Sequence, residues 1–187
     1  MDKSHLRKDA RRVRDTLMPD AVDAQKAADL FAAHVAFSKE TVIAGYWPVG
    51  REFDVRPVLK SVFEAGAKVC LPVAEREDRL MRFALWDGEE TLVKSNFGTL
   101  APASQIWAEP DIVIVPLLAF DPQGYRLGQG GGHYDATLES LRAHRKILAV
   151  GVGYAAQGVL FNLPREPHDQ RLDMVITPEG VKDFRQD

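Results

Sequence analysis

TVIAGYWPVGREFDVRPVLKSVFEAGAKVCLPV, residues 41–73, decides the fold. Its two ends, TVIAGYW (41–47) and AKVCLPV (67–73), are β-rich apolar runs, and the middle, RPVLKSVFEAG (56–66), reads as a helix with Gly66 where a C-cap falls. Strand, helix and strand in that span make a βαβ unit. Strands that are apolar almost throughout belong to a mostly parallel sheet covered on both faces.

The same texture continues on both sides. DIVIVPLLAF (111–120) and KILAVGVGY (146–154) read as further strands, LMRFALW (80–86) as an alternating one, and 134–144 as a helix; 87–110 reads mostly as loop. Upstream, Leu6, Ala10, Val13 and Leu17 recur at helical spacing, giving residues 3–17 one narrow apolar stripe and a broad basic face. A second helix is expected over 21–37, capped by Asp20. The expectation is one α/β sandwich domain over residues 1–187, with a helical segment in front of a mostly parallel sheet.

Composition narrows the function classes. With 45% hydrophobic residues and a net charge of −3, the chain can bury a core and has no surface suited to coating nucleic acid. Its single cysteine, Cys70, lies inside an apolar run and reads as a buried thiol rather than half of a disulfide. The charged N-terminus lacks a signal-peptide core and no apolar run reaches about 18 residues, so a cytoplasmic protein without a membrane span is expected.

The chemistry-bearing stretch is RLGQGGGHYD (126–135), four glycines in five positions between an apolar run and a helix. Glycines let other groups approach the main chain, and amides at a helix N-terminus cradle phosphate. Read alone, the run is either such a cradle or a flexible surface turn. Arg126 offers a forked cation and Asp135 a hard oxygen ligand. No Gly-Lys-Ser/Thr follows, and His133 stands where a dinucleotide fingerprint has glycine, so neither common phosphate motif applies.

FDPQGYRLGQGGGHYDATL (120–138) closely resembles the signature of 5-formyltetrahydrofolate cyclo-ligases, the methenyltetrahydrofolate synthetases. KSHLR (3–7), YWPVGREFD (46–54), CLPV (70–73), VPLLAFD (115–121), GYAAQ (153–157) and LPREPHDQRLDMVIT (163–177) fall in the family's order and spacing. The resemblance implies a three-layer α/β sandwich related to ribose-phosphate isomerases and CoA transferases. It also implies a reaction: 5-formyltetrahydrofolate and ATP give 5,10-methenyltetrahydrofolate, ADP and phosphate, with Mg²⁺, through a phosphorylated formyl intermediate. That chemistry needs no protein nucleophile, and no catalytic nucleophile or base is assigned.

Residue by residue, the resemblance gives ATP to Lys3, Arg7, Arg126, Leu127, Gly128, Gln129, Gly130, Gly131, Gly132, His133 and Tyr134. It gives the metal to Asp135 and Asp173, and folate to Trp47, Glu52 and Phe97. From spacing alone Lys3 and Arg7 are one solvated helix face, Glu52 a loop acid, and Trp47 equally a core residue or a ring packed on the substrate. His133 reads as a ring beside the nucleotide rather than a base, and Tyr154, Gln157, His168 and Asp169 as neighbours of the cleft. Partners expected are the two substrates, with no nucleic acid, membrane or obligate protein. A sugar-phosphate isomerase-like enzyme and a non-catalytic nucleotide or folate binder on the same scaffold are the rival readings.

Overall fold

The structure, a computed structural model, describes residues 2–75 and 78–185 and leaves the side chain of Phe97 outside that set. Four α-helices appear among the described residues: α1 (Lys3–Thr16), α2 (Ala21–His34), α3 (Arg56–Glu64) and α4 (His133–Arg142). The strands are β1 (Val42–Ala44), β2 (Lys68–Val73), β3 (Arg82–Trp86), β4 (Leu92–Lys94), β5 (Leu100–Pro102), β6 (Trp107–Ala108), β7 (Ile112–Val115), β8 (Ala119–Phe120), β9 (Arg126–Leu127), β10 (Leu148–Val152), β11 (Met174–Thr177) and β12 (Gly180–Asp183).

Eight strands form one sheet in the order β12-β11-β10-β7-β1-β2-β3-β6. The five strands from β11 to β2 are mutually parallel, and antiparallel neighbours close both edges. Strand pleating sorts their side chains into two cores. Ile43, Val69, Leu71, Ile112, Ile114, Val150, Val152, Met174 and Ile176 face α2 and α3, where Phe31, Val58 and Leu59 are buried. Ala44, Cys70, Val113, Val115, Ala149 and Val175 face the other way, onto Leu138 and Leu141 of α4. Helices on both faces of a mostly parallel sheet make three layers, and Cys70 is the buried thiol expected, its pKa pushed up by burial.

Several boundaries moved, each for a local reason. The run 111–120 is two strands, because Pro116 has no N–H to donate; the chain leaves the main sheet and β8 pairs with β9 in a separate ribbon. Helix α2 stops at His34, after which Val35 is extended and Phe37 folds back onto Phe31, ring centroids 6.4 Å apart. The region 87–110 holds β4, β5 and the edge strand β6. α1 buries no residue fully; Leu6 and Ala10 rest on a small cluster of Ala119, Leu127 and Leu163. No helix is long and apolar enough to cross a membrane among the described residues.

Topology fixes where a site belongs. From β1 the chain crosses through α3 to β2 on one side, and from β7 through α4 to β10 on the other. The strand order therefore reverses between β1 and β7, and ligands of open α/β sheets bind at the carboxyl ends of such a pair. The β1 loop carries Trp47 and Glu52, and the segment after β7 carries the glycine run.

Candidate functional site

Asp121 sets the glycine loop in place. It is wholly buried, and its Oδ1 accepts the amides of Gln123 and Tyr125, both at 2.9 Å, while Oδ2 accepts that of Leu163 at 3.0 Å. These bonds close the turn between β8 and β9 and aim residues 128–132 at the start of α4. Gly130 and Gly132 have φ of 108° and 71°, values that favour glycine, and the His133 ring packs so closely on Gly131 that a Cβ there would lie 2.6 Å from Nδ1. α1 and α2 are each capped by an aspartate; α4 opens on Gly132 with no side-chain cap. Its first-turn amides are thus left without a capping side chain at the positive end of the helix dipole.

α1 lies across this loop. Arg7 Nε donates to the Gly128 carbonyl at 3.1 Å, and Arg11 donates to the Gln129 carbonyl and side-chain oxygen. Lys3 Nζ sits between Asp169 (2.6 Å) and Glu166 (2.7 Å). Burial opposes the Lys3 charge, but the two carboxylates outweigh it and hold its pKa above the ordinary value. Arg126 points inward, its side chain 3% exposed, with Nη1 on Asp135 Oδ1 at 3.0 Å and on the Gln170 carbonyl at 2.9 Å. Asp135 Oδ1 also accepts the Gln170 amide, so Oδ2 is the oxygen left over for a ligand.

Asp173 stands elsewhere. The segment from Gln170 to Asp173 runs down α4, meeting Asp135 at its top and Arg142 at its foot, seven residues or roughly 10 Å along the axis. Asp173 Oδ2 accepts from Arg142 at 3.1 Å and from the Ala149 amide at 2.7 Å, at the amino ends of the strands. The structure does not bring it to the glycine loop. Asp169 precedes Gln170, whose amide Asp135 accepts, and is paired with Lys3; Glu166, His168 and Asp169 present ligand atoms within 4.8 Å of one another.

On the β1 side, the buried Tyr46 hydroxyl donates to the Phe53 carbonyl at 3.1 Å and pins the loop. Glu52 accepts the Val49 amide at 3.0 Å, and burial pushes its carboxyl above the ordinary 4.5, opposed by that bond and by the Arg14 charge. Burial, and after it the Glu52 charge, push the Tyr134 hydroxyl above its ordinary value. Trp47 is half-buried, edge-on to Trp86 at 5.5 Å, with Arg56 over its ring. Tyr154 packs on Phe53, and Gln157 is buried with its amide on the carbonyls of Leu117 and Leu118; both shape the floor from within. Phe97 belongs to a short turn, Asn96–Gly98, and its side chain lies outside the described residues. Sequence reasoning passed over Asp121, Arg11 and Arg14; the signal for the arginines was their place in one helical row with Lys3 and Arg7.

The model of the 5-formyltetrahydrofolate cyclo-ligase family matches residues 1–178. The chain belongs to that family. The 5-formyltetrahydrofolate cyclo-ligase of Mycolicibacterium smegmatis is 35% identical over 172 residues, 87% of each chain, and that of Escherichia coli K12 is 30% identical over 163 residues, 84% of this chain and 88% of its own. The solved 5,10-methenyltetrahydrofolate synthetase of Aquifex aeolicus superposes with a TM-score of 0.80 at 29% identity, covering 99% of this chain and 94% of that one. Membership in the cyclo-ligase family makes the chain an enzyme, a ligase, and the mixed α/β architecture with its large, mostly parallel sheet is shared with the Aquifex aeolicus structure.

Proposed function

We propose that this cyclo-ligase converts 5-formyltetrahydrofolate and ATP to 5,10-methenyltetrahydrofolate, ADP and phosphate, with Mg²⁺. The observation that carries the reading is the uncapped N-terminus of α4, opened by the glycine loop and overlaid by the α1 cations, at the switch point of the sheet where the β1 loop carries Glu52.

The chemical obstacle is that a formamide oxygen is a poor leaving group. In the proposed route the formyl oxygen forms a bond to the γ-phosphorus as the bond to ADP breaks. N10 then adds to the formyl carbon, the carbon–oxygen bond breaks, phosphate departs and the N10 proton is lost. Positioning and neutralisation of charge are what the protein supplies. Amides of residues 128–134 receive the phosphates, Arg7 and Arg11 fix the loop, Lys3 contributes charge, Glu52 accepts pterin N–H donors, and Trp47 supplies an apolar wall. Phe97 is kept with them as a folate neighbour.

The residues fit a hard cation. Asp135 keeps Oδ2 clear of the described hydrogen bonds, and Asp169, one residue before Gln170, offers a second carboxylate, whereas Asp173 is engaged at the foot of α4. Mg²⁺ takes one or two carboxylates together with substrate phosphates, and bound there it would neutralise charge on the phosphate chain. Kinship of the sheet with ribose-phosphate isomerases and CoA transferases, residence in the cytoplasm and a single domain over residues 1–187 complete the proposal.

Mixing purified protein with 5-formyltetrahydrofolate and MgATP tests it. Methenyltetrahydrofolate absorbance should rise in step with ADP. Product without ATP consumption, or no product, would reject the reading; binding of both ligands without turnover would favour a sensor.

A further inference from the structure

Arg79 stands over the end of the glycine run that the α1 arginines leave open. A Cβ on Gly132 would lie 4.0 Å from its Nη1, whereas Arg7 and Arg11 lie over Gly128, Gln129 and Gly130. Arg79 is exposed and forms no hydrogen bond or ion pair among the described residues. Lys3, Arg7, Arg11 and Arg126, at the same loop, are all held by protein partners.

The loop that carries Arg79, between β2 and β3, joins the two sides of the site. It leaves β2 at the carboxyl end, beside β1 and the Trp47–Glu52 loop. At its start the Asn96 side chain, next to Phe97, donates to the Ala74 carbonyl at 2.7 Å; at its end the Met81 amide donates to Thr137 Oγ1 of α4 at 3.0 Å. Between these anchors the Asp78 carboxylate accepts the Leu80 amide at 2.9 Å, closing a turn with Arg79 at its middle. The turn of Phe97 thus holds one end of the loop and α4 the other, and Arg79 reaches the last glycine before the helix.

We propose that Arg79 is a catalytic residue whose guanidinium closes on the terminal phosphoryl group of ATP during its transfer to the formyl oxygen. The assignment rests on the cyclo-ligase reading above. Position says which phosphate it meets. The formyl oxygen arrives from the folate side, the phosphoryl group that reacts with it is the one nearest that side, and Arg79 is the cation on the loop anchored there. The bond from the formyl oxygen to phosphorus forms as the bond to ADP breaks, and the electron pair of that bond leaves with ADP. Arg79 gives up no proton; its donors neutralise charge on the phosphoryl oxygens while both bonds are partial. Having no protein partner, it breaks no ion pair to do so.

Arg79→Met, with Arg79→Lys as companion, tests the assignment in the whole chain. The measurements are the melting temperature without ligand, the affinities for Mg·ADP and the non-hydrolysable Mg·AMP-PNP, and kcat with the KM of each substrate. Both variants should melt with wild type, since Arg79 is exposed and unpartnered among the described residues. Arg79→Met should bind Mg·ADP within about twofold of wild type, lose about tenfold in affinity for Mg·AMP-PNP and drop kcat about 100-fold or more. Arg79→Lys, which keeps the charge without the planar fork, should fall in between. Unchanged kcat and an unchanged AMP-PNP-to-ADP ratio would overturn the assignment. Equal weakening of both nucleotides would overturn it too, by placing Arg79 on a phosphate that stays with ADP. So would a raised KM for 5-formyltetrahydrofolate that vanishes with an analogue lacking the glutamate, which would put a folate carboxylate on Arg79. A melting temperature lowered by Met and restored by Lys would make the cation structural and reject the role. Wild-type protein that binds neither nucleotide would defeat the cyclo-ligase reading itself, a result distinguishable from any of these.

Discussion

The two halves of the site are built differently. Around the glycine loop, Lys3 is paired with Glu166 and Asp169, Arg7 and Arg11 with loop carbonyls, and Arg126 with Asp135. On the β1 side, Glu52 is held by a single amide in surroundings that disfavour its charge, and two enclosed donors of Arg14 make no hydrogen bond among the described residues. The first half is set before any ligand arrives. The second carries an electrostatic cost that a ligand relieves, the pattern expected where substrate contacts are completed by the substrate rather than by the protein.

Substitutions should break the two halves in different ways. The largest effect on turnover is expected for Asp135→Asn, a loss of about 100-fold or more in kcat, with the protein still folded because the amide can still accept from Gln170. Steady-state kinetics and a melting curve on the same sample decide it; near-normal kcat would remove Asp135 from the metal site. Asp121→Ala should act on stability instead, costing about 3 kcal/mol, since three amides, that of Leu163 buried, lose their acceptor together. Denaturant unfolding measures that loss, and a change below 1 kcal/mol would mean that the β8–β9 turn holds without it.

Smaller effects sharpen the contrast. Lys3→Met should raise the KM for ATP about tenfold and leave the KM for folate unchanged. Glu52→Gln should do the reverse, weakening folate about tenfold with ATP spared. Its stability effect has a definite sign. The Glu52 carboxyl titrates above 4.5 in the folded protein, so the folded state binds more protons than the unfolded state across that interval, and stability falls as pH rises through it. Glu52→Gln removes this loss, so its melting temperature should exceed wild type near neutral pH, with the advantage gone below pH 4.5. The opposite trend would show that the carboxylate is stabilised by its surroundings.

Much of this was legible in the sequence where one physical rule governed. The stretch 41–73 folds as β1, α3 and β2 because its apolar runs and helical spacing agree, and the glycine run leads into α4 as its position implied. The division of 111–120 at Pro116 and the strands within 87–110 were hidden because short strands are fixed by pairing partners, not by their own period. Asp173 and Asp169 were not distinguishable by motif alone. Three residues lie between them, and along the segment beside α4 that places Asp169 on Lys3 and Asp173 on Arg142 at the helix foot. Arg14 could not be told from Arg11 or Arg12 on a face with so many cations, because being enclosed and unpartnered is a property of three dimensions only.

The most direct test of the two-half account is amide chemical-shift mapping of the ¹⁵N-labelled protein. Adding Mg·AMP-PNP alone should move the amides of Gly128 to Asp135 and leave those of Trp47 to Glu52 in place, and 5-formyltetrahydrofolate added afterwards should move the second group. Nucleotide that shifts Trp47 to Glu52 while the glycine loop stays unchanged would contradict it.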